Sequence, residues 1–146
     1  MTVQYEHDTH AWALEQTELL RTGKLEKLDI EHLADEIESV AKRERRALIN
    51  QLARLLMHLL KWEQQPENRT RSQRLTIEDA QHKTLRLLNE NPSFKTMLPN
   101  LMQSAYADAR RAAAIDTDQE PEAFPEQCLY TFEDAISYQP CRYITD

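Results

Sequence analysis

The chain has very little glycine: Gly23 is the single one among 146 residues, against an average usage of about 7%. Glycine supplies the positive φ angles that tight hairpin turns and phosphate-wrapping loops require. A fold with many β-turns, a P-loop or a dinucleotide-binding fingerprint is therefore excluded. Gly23 directly follows the first predicted helix, at the position where a left-handed C-terminal cap is expected.

Long apolar runs are also lacking, and no leader sequence is expected. No run approaches the roughly 20 residues that a transmembrane helix needs, and no basic flank precedes an apolar stretch at the N-terminus. A disulfide between Cys128 and Cys141 would close only a short loop, so two free thiols are expected in a reducing compartment. We predict a soluble, cytoplasmic protein that is not inserted in a membrane.

The residues that are abundant are strong helix formers: Leu, Ala, Glu, Gln, Arg and Lys. The composition predicts an all-α fold, and the length suits a single domain over residues 1–146. The expected architecture is an antiparallel helical bundle of four main helices, with one long central helix and a short C-terminal helix. Caps and prolines place these helices from Asp8 or Thr9 to Leu20, from Ile30 to Pro66, from Thr70 or Thr76 to Asn89, from Pro99 to Ile115, and from Phe132 to Tyr138.

The long central helix carries an apolar stripe at helical spacing. The stripe is Ile30, Leu33, Ile37, Val40, Leu48, Leu52, Leu55, Leu56 and Leu59. Glu44 interrupts it between Val40 and Leu48. Either Ala41 and Ala47 carry the contact past Glu44, which we favour, or Glu44 turns inward to meet a cation.

Charge is distributed unevenly along the chain. Residues 1–41 carry a net charge of −7, residues 42–86 carry +6, and residues 87–146 carry −6. The acidic ends could fold back onto the basic middle, which is the preferred interpretation. The alternative is a basic face left available for an anionic partner, although the overall charge of −7 disfavours generic nucleic-acid binding.

The candidate metal ligands do not form a convincing set. Ferritin-like sites need two Glu-x-x-His motifs facing inward, whereas this chain has only the Asp-x-x-His pairs Asp29/His32 and Asp79/His82, whose aspartates lie near helix starts. His32 shares a helix face with Asp35 and Glu36, and His7 and His10 form a second weak cluster, but neither cluster has a convincing partner elsewhere in the sequence. We assign no metal ligand, no cofactor and no catalytic residue.

The basic middle provides the candidate binding residues. One cluster precedes the leucine-rich part of the central helix, and a second surrounds the turn after it. The second cluster comprises Lys61, Trp62, Arg69, Arg71 and Arg74. Its cations could neutralise phosphates, and the tryptophan could stack on a base. The competing interpretation is that Trp62 packs in the core and the arginines pair with acidic side chains.

Several motifs resemble those of a bacterial family described as domain of unknown function 29. They are Tyr5, Asp8, Trp12 and Leu19-Leu20-Arg21, then Leu33 to Val40, then His58 to Trp62 with Gln65-Pro66, Arg69 and Ser72, and finally Phe124-Pro125-Glu126 with Cys128, Tyr130 and Thr131. The resemblance covers about residues 5 to 136. It implies a compact all-helical domain and no assigned activity. Gln73 stands where the family pattern leads us to expect tryptophan.

Three function classes follow from these observations. The first is a helical binding or protein-interaction module without assignable enzymatic activity, acting on a protein partner or as a homodimer through exposed parts of the central helix. The second is a nucleic-acid-associated protein that uses the basic region 42–74. The third is a metal-dependent enzyme built on a helical bundle.

Overall fold

The structure, a computed structural model, describes residues 2–140. It contains five α-helices and, within those residues, no β-strand: α1 (Thr9–Arg21), α2 (Ile30–Gln64), α3 (Arg71–Glu90), α4 (Leu98–Asp116) and α5 (Phe132–Ser137). The all-α class, the long α2 and the short last helix are confirmed. Cys141 lies outside the described residues, and Cys128 carries a free thiol.

Local capping explains where the helices begin and end. Asp8 accepts a hydrogen bond from the backbone N–H of Ala11 at 3.0 Å, which caps α1. Gly23 adopts a φ of 72° just past the end of α1, as expected of a residue in the left-handed C-terminal position. At the last helix, Thr131 and Asp134 form the predicted reciprocal capping box.

The structure decides between Thr70 and Thr76, the two starts of α3 that the sequence left open. Thr70 accepts from the backbone N–H of Gln73 at 3.1 Å, so α3 begins at Arg71. Thr76 instead donates its hydroxyl proton to the Ser72 carbonyl at 2.9 Å, inside the helix. Thr76 therefore does not start the helix and forms no capping box with Asp79, because it already lies in the second turn of α3.

The chain divides into two compact units, Met1–Arg43 and Glu44–Asp146. Helix α2 continues from the first unit into the second. The single-domain organisation remains a prediction. The two units differ in how much apolar surface they bury: among residues 2–43, the buried side chains are Trp12 and Gln16.

The second unit contains the hydrophobic core. The second half of α2 contributes its leucine stripe, and α3, α4, the tail and α5 pack around it. The fully buried large residues of this core include Leu48, Leu52, Leu55, Leu56, Leu59, Trp62, Ile77 and Leu101. The α4 face that enters the core is rich in alanine, with Ala105, Ala109 and Ala113 completely buried, which allows close approach of neighbouring helices. This packing is that of a helical bundle.

Glu44 accepts from an amide rather than pairing with a cation, and Ala41, which was expected to help carry the contact past it, is exposed. Its Oε2 accepts a hydrogen bond at 3.1 Å from Nδ2 of Asn91. The same Nδ2 also donates to the Leu87 carbonyl, and the backbone N–H of Asn91 closes the end of α3. Glu44 therefore turns toward a neutral amide and links α2 to the C-terminal cap of α3.

Even α2, with 35 residues, has no segment apolar enough to cross a bilayer, and neither has any other helix among residues 2–140.

Candidate functional site

The predicted binding residues around the α2–α3 turn contact mainly partners within the second unit. The ammonium group of Lys61 bonds the carboxylate of Asp116. Trp62 is only 2% exposed. The guanidinium of Arg69 lies 5.0 Å from the centroid of the Trp62 ring, and its Nε donates to the Trp62 carbonyl at 2.8 Å.

The other two predicted residues lie in the first turns of α3. Nη1 of Arg74 forms an ion pair with Oε1 of Glu78 at 3.1 Å. Arg71 is exposed and lines a shallow depression with Arg54 and Asp79, which are themselves paired at 3.0 Å. The structure thus gathers all five residues around the α2–α3 turn. Four of them have intramolecular contacts that explain their positions, and their role as a ligand site stays a prediction.

The first unit contains an aromatic and histidine cluster. The rings of Tyr5 and His32 are stacked with centroids 4.4 Å apart, and Trp12 meets Tyr5 edge-on at 4.8 Å. Asp29 lies beneath them, accepting from Nε1 of Trp12 at 2.9 Å and contacting Nδ1 of His32 at 2.7 Å. The Tyr5 hydroxyl donates to Glu36. These contacts fix the N-terminal segment and the start of α2.

Two carboxylates surround the imidazole of His32. Nδ1 faces Asp29, and Nε2 lies 3.1 Å from Oε1 of Glu6. The hydrogen bond to Asp29 raises the pKa of His32, and the charges of Asp29, Glu6 and Glu31 add to this rise against the opposing effect of burial. Only the imidazolium can donate to both carboxylates at once, so this geometry fits the protonated ring.

His32, Asp35 and Glu36, which the sequence analysis considered but did not assign as metal ligands, form no metal-binding group among the described residues. Both ring nitrogens of His32 are already engaged, and Glu36 accepts from Tyr5. Across residues 2–140, no group of three or more His, Cys, Asp or Glu side chains is placed to hold a metal ion.

The first part of α2 exposes an apolar stripe. Ile30 is 70% exposed, Ile37 is 69% exposed and Val40 is 49% exposed; Leu33 between them is half-buried. The same helix buries its leucines once it enters the second unit. The sequence indicated an apolar stripe interrupted at Glu44 without deciding which part is covered, and the structure buries the part after Glu44.

A groove of about 810 Å³ runs between α4 and the chain that follows it. Two contacts hold the tail to α4: the Tyr106 hydroxyl donates to the Pro125 carbonyl, and Nε of Arg110 donates to the Phe124 carbonyl at 3.3 Å. Cys128 also lines this groove, and burial raises the pKa of its thiol. A raised pKa disfavours the thiolate, so the thiol is poorly suited to nucleophilic attack.

Sequence reasoning missed this groove entirely. The signal that could have found it is the four-residue spacing along α4 of Leu98, Met102, Tyr106 and Arg110, which places these side chains in one row. The position of the tail over that row depends on tertiary contacts and has no local signature.

Comparison with known proteins identifies one family. Residues 4–139 match the family described as "Domain of unknown function DUF29". No curated protein and no solved structure gives a significant match.

Proposed function

The chain belongs to the DUF29 family, and we propose that it is a protein-interaction module that pairs with a second copy of itself through the first part of α2. The family description assigns no activity, so the proposal rests on the surfaces of this chain. We place the protein in the bacterial cytoplasm as part of the same proposal.

The exposed stripe at the start of α2 is the observation that carries the proposal. Ile30, Leu33, Ile37 and Val40 are separated by three, four and three residues, which is the spacing of a two-helix seam. Three of the four are exposed. Burying a large aliphatic side chain contributes about 1.5–3 kcal/mol, so covering this stripe with a partner would be favourable. Clustered apolar exposure of this kind is typical of protein-binding surfaces.

The charges on either side of the stripe favour a second copy of the chain as the partner. The helix segment 31–38 contains four acidic residues: Glu31, Asp35, Glu36 and Glu38. The segment 42–46 contains four basic residues: Lys42, Arg43, Arg45 and Arg46. An antiparallel register that sets Ile37 of one copy against Val40 of the other brings the acidic part of each helix beside the basic part of its partner, whereas parallel pairing aligns like charges. A two-fold arrangement of this kind closes on itself and forms a dimer.

The size of the stripe sets the expected affinity. Stable interfaces bury about 800 Å² on each partner, and four side chains on one short helix segment provide less than this. We therefore expect a dimer that dissociates on dilution and that weakens in salt, because the flanking charges are exposed and screened.

Sedimentation velocity over a range of protein concentrations tests the proposal. The wild-type chain should shift from monomer to dimer as concentration rises. Ile37→Asp should remain monomeric, because it places a charge in the seam at a position where the monomer does not need an apolar side chain. Ile115→Asp is the matched control, since Ile115 is 82% exposed on α4 and lies outside the stripe; it should dimerise as the wild type does.

A wild-type chain that stays monomeric up to its solubility limit would contradict the proposal. Equal dimerisation by Ile37→Asp and Ile115→Asp would also contradict it, by showing that the contact lies elsewhere.

The exposure of Arg43, Arg45 and Arg46 is the observation that favours nucleic-acid association as a second candidate. Gel-shift titration at low and at physiological salt separates the two candidates. Salt-dependent binding that Arg45→Glu weakens, in a chain that does not dimerise, would favour nucleic acid. The third candidate, a metal-dependent enzyme, predicts stoichiometric metal in elemental analysis of the purified protein.

A further inference from the structure

The groove beside α4 changes in polarity from one end to the other. Two rows of side chains at four-residue spacing form its α4 wall. One row is Leu98, Met102, Tyr106 and Arg110, and the other is Pro99, Gln103, Ala107 and Arg111. Each row begins with an apolar side chain, Leu98 or Pro99, and ends with an arginine. At 1.5 Å per residue, each row extends about 18 Å along the helix.

The opposite wall comes from the tail and is mixed in character. Phe132, Tyr130 and Cys128 contribute apolar or weakly polar surface, and Gln127 and Glu126 contribute polar groups. Within the described lining, Glu126 contributes a carboxylate, and Arg110 and Arg111 contribute guanidinium groups. Asp108 pairs with Arg111 from outside the lining, which leaves Arg110 as the lining guanidinium that forms no ion pair among the described residues.

We propose that this groove binds a single-chain amphipathic carboxylate of fatty-acid type, with its hydrocarbon chain toward Leu98 and Met102 and its carboxylate at Arg110 and Arg111. The volume lies within the range of small-molecule sites, which combine apolar walls with a few placed polar groups. The Nε of Arg110 donates to the Phe124 carbonyl. Its Nη groups are the donors that would bind both oxygens of a carboxylate.

The chemistry of the two ends selects this ligand class. A hydrocarbon chain gains from every methylene group that leaves water, and the Leu98 end of the groove offers apolar side chains for it. A cationic head group would be repelled by the two arginines. A neutral alcohol could not form the charge-assisted hydrogen bonds that a carboxylate forms with them. A dicarboxylate without a chain would leave the apolar end unfilled.

Isothermal titration of the full chain with dodecanoate, below its micelle concentration, tests the proposal. We expect saturable one-to-one binding. Dodecanol and dodecylamine should bind at least about tenfold more weakly, since a hydrogen bond to a charged group contributes about 1.5–3 kcal/mol. Circular dichroism of every variant establishes that it is folded before its binding is compared.

Two substitutions locate the ligand. Ala107→Trp fills the groove from an exposed position and should abolish binding, whereas Ala13→Trp, at an exposed alanine of α1, should leave it unchanged. Arg111→Gln should weaken dodecanoate binding severalfold without affecting dodecanol, and Arg86→Gln on α3 should have no effect.

Absence of saturable dodecanoate binding by the folded chain would overturn the proposal. So would equal affinity for dodecanoate and dodecanol, or binding that Ala107→Trp leaves intact. If Ala107→Trp instead prevents self-association, the groove holds another protein chain and the carboxylate proposal is wrong. Because Ile37 lies far along the sequence from this groove, failure of the Ile37→Asp test leaves the present proposal unaffected.

Discussion

The guanidinium of Arg69 lies 5.0 Å from the centre of the Trp62 ring and, through Nε, also binds the carbonyl of the same tryptophan at 2.8 Å. One side chain therefore holds both the ring and the backbone of Trp62, two residues before the end of α2. Arg69 is the residue directly after the turn Pro66–Asn68. This relationship fixes the path of the chain from α2 toward α3.

We expect Arg69→Ala to lower the free energy of unfolding by about 1–3 kcal/mol, from the lost cation–π contact and the lost hydrogen bond to a buried carbonyl. Arg69→Lys should recover only part of this, because lysine has no planar fork. Urea unfolding followed by circular dichroism measures the effect. Arg71→Ala, at an exposed position two residues later, is the control and should change stability by less than about 0.5 kcal/mol. Equal losses for the two variants would show that the Trp62 contact contributes nothing.

The environment of His32 makes a second prediction, on pH dependence. The pKa of His32 is raised in the folded chain, first by its bond to Asp29 and then by nearby acidic charges. A raised folded pKa contributes stability that is complete below the unfolded value of about 6.5 and is lost as pH rises through the folded pKa. Thermal stability should therefore decline as pH rises above about 6.5.

Thermal denaturation of wild type, His32→Gln and Glu6→Gln between mildly acidic and mildly alkaline pH measures this decline. The decline should be absent in His32→Gln and reduced in Glu6→Gln, because Glu6 is one of the two carboxylates that face the ring. A histidine proton titration by NMR should place the pKa of His32 above 6.5. A decline of equal size in the His32→Gln variant would assign it to other groups.

A third prediction concerns the link between Glu44 and Asn91. Their hydrogen bond of 3.1 Å joins α2 to the end of α3, and we expect a coupling free energy of about 0.5–1.5 kcal/mol between them. A double-mutant cycle with Glu44→Ala, Asn91→Ala and both together measures it. Because Asn91 also donates to the Leu87 carbonyl, Asn91→Ala should cost more than Glu44→Ala. Strictly additive effects would mean that the contact does not contribute to stability.

The helices were predictable because their determinants are local. Asp8, Thr70 and Thr131 cap backbone groups three residues away, and such short-range contacts can be read from sequence spacing. The positive φ of Gly23 follows from the same kind of local requirement. Local spacing left Thr70 and Thr76 open as caps because the two threonines lie six residues apart, and only Thr70 is at the helix start.

The candidate sites were harder to predict because they join distant parts of the chain. Tyr5 and His32 stack across 27 positions, a contact that no local pattern encodes. Residue type and spacing left open whether Trp62 is exposed to a ligand or packed, and packing in three dimensions buries it. The groove lined by Arg110 and Phe132 likewise exists only because the tail returns to α4.

The difference between what the sequence determined and what the tertiary structure decided is greatest along α2. By itself, the sequence determined that residues from Ile30 to the turn at Pro66 form one helix, since they contain no helix breaker and repeat apolar residues at helical spacing. It could not determine which part of that stripe is covered. Only the tertiary structure decided that Leu48 and the leucines after it are buried while Ile30, Ile37 and Val40 stay exposed, because burial depends on which other segments pack against a helix face and not on the residues of that face alone.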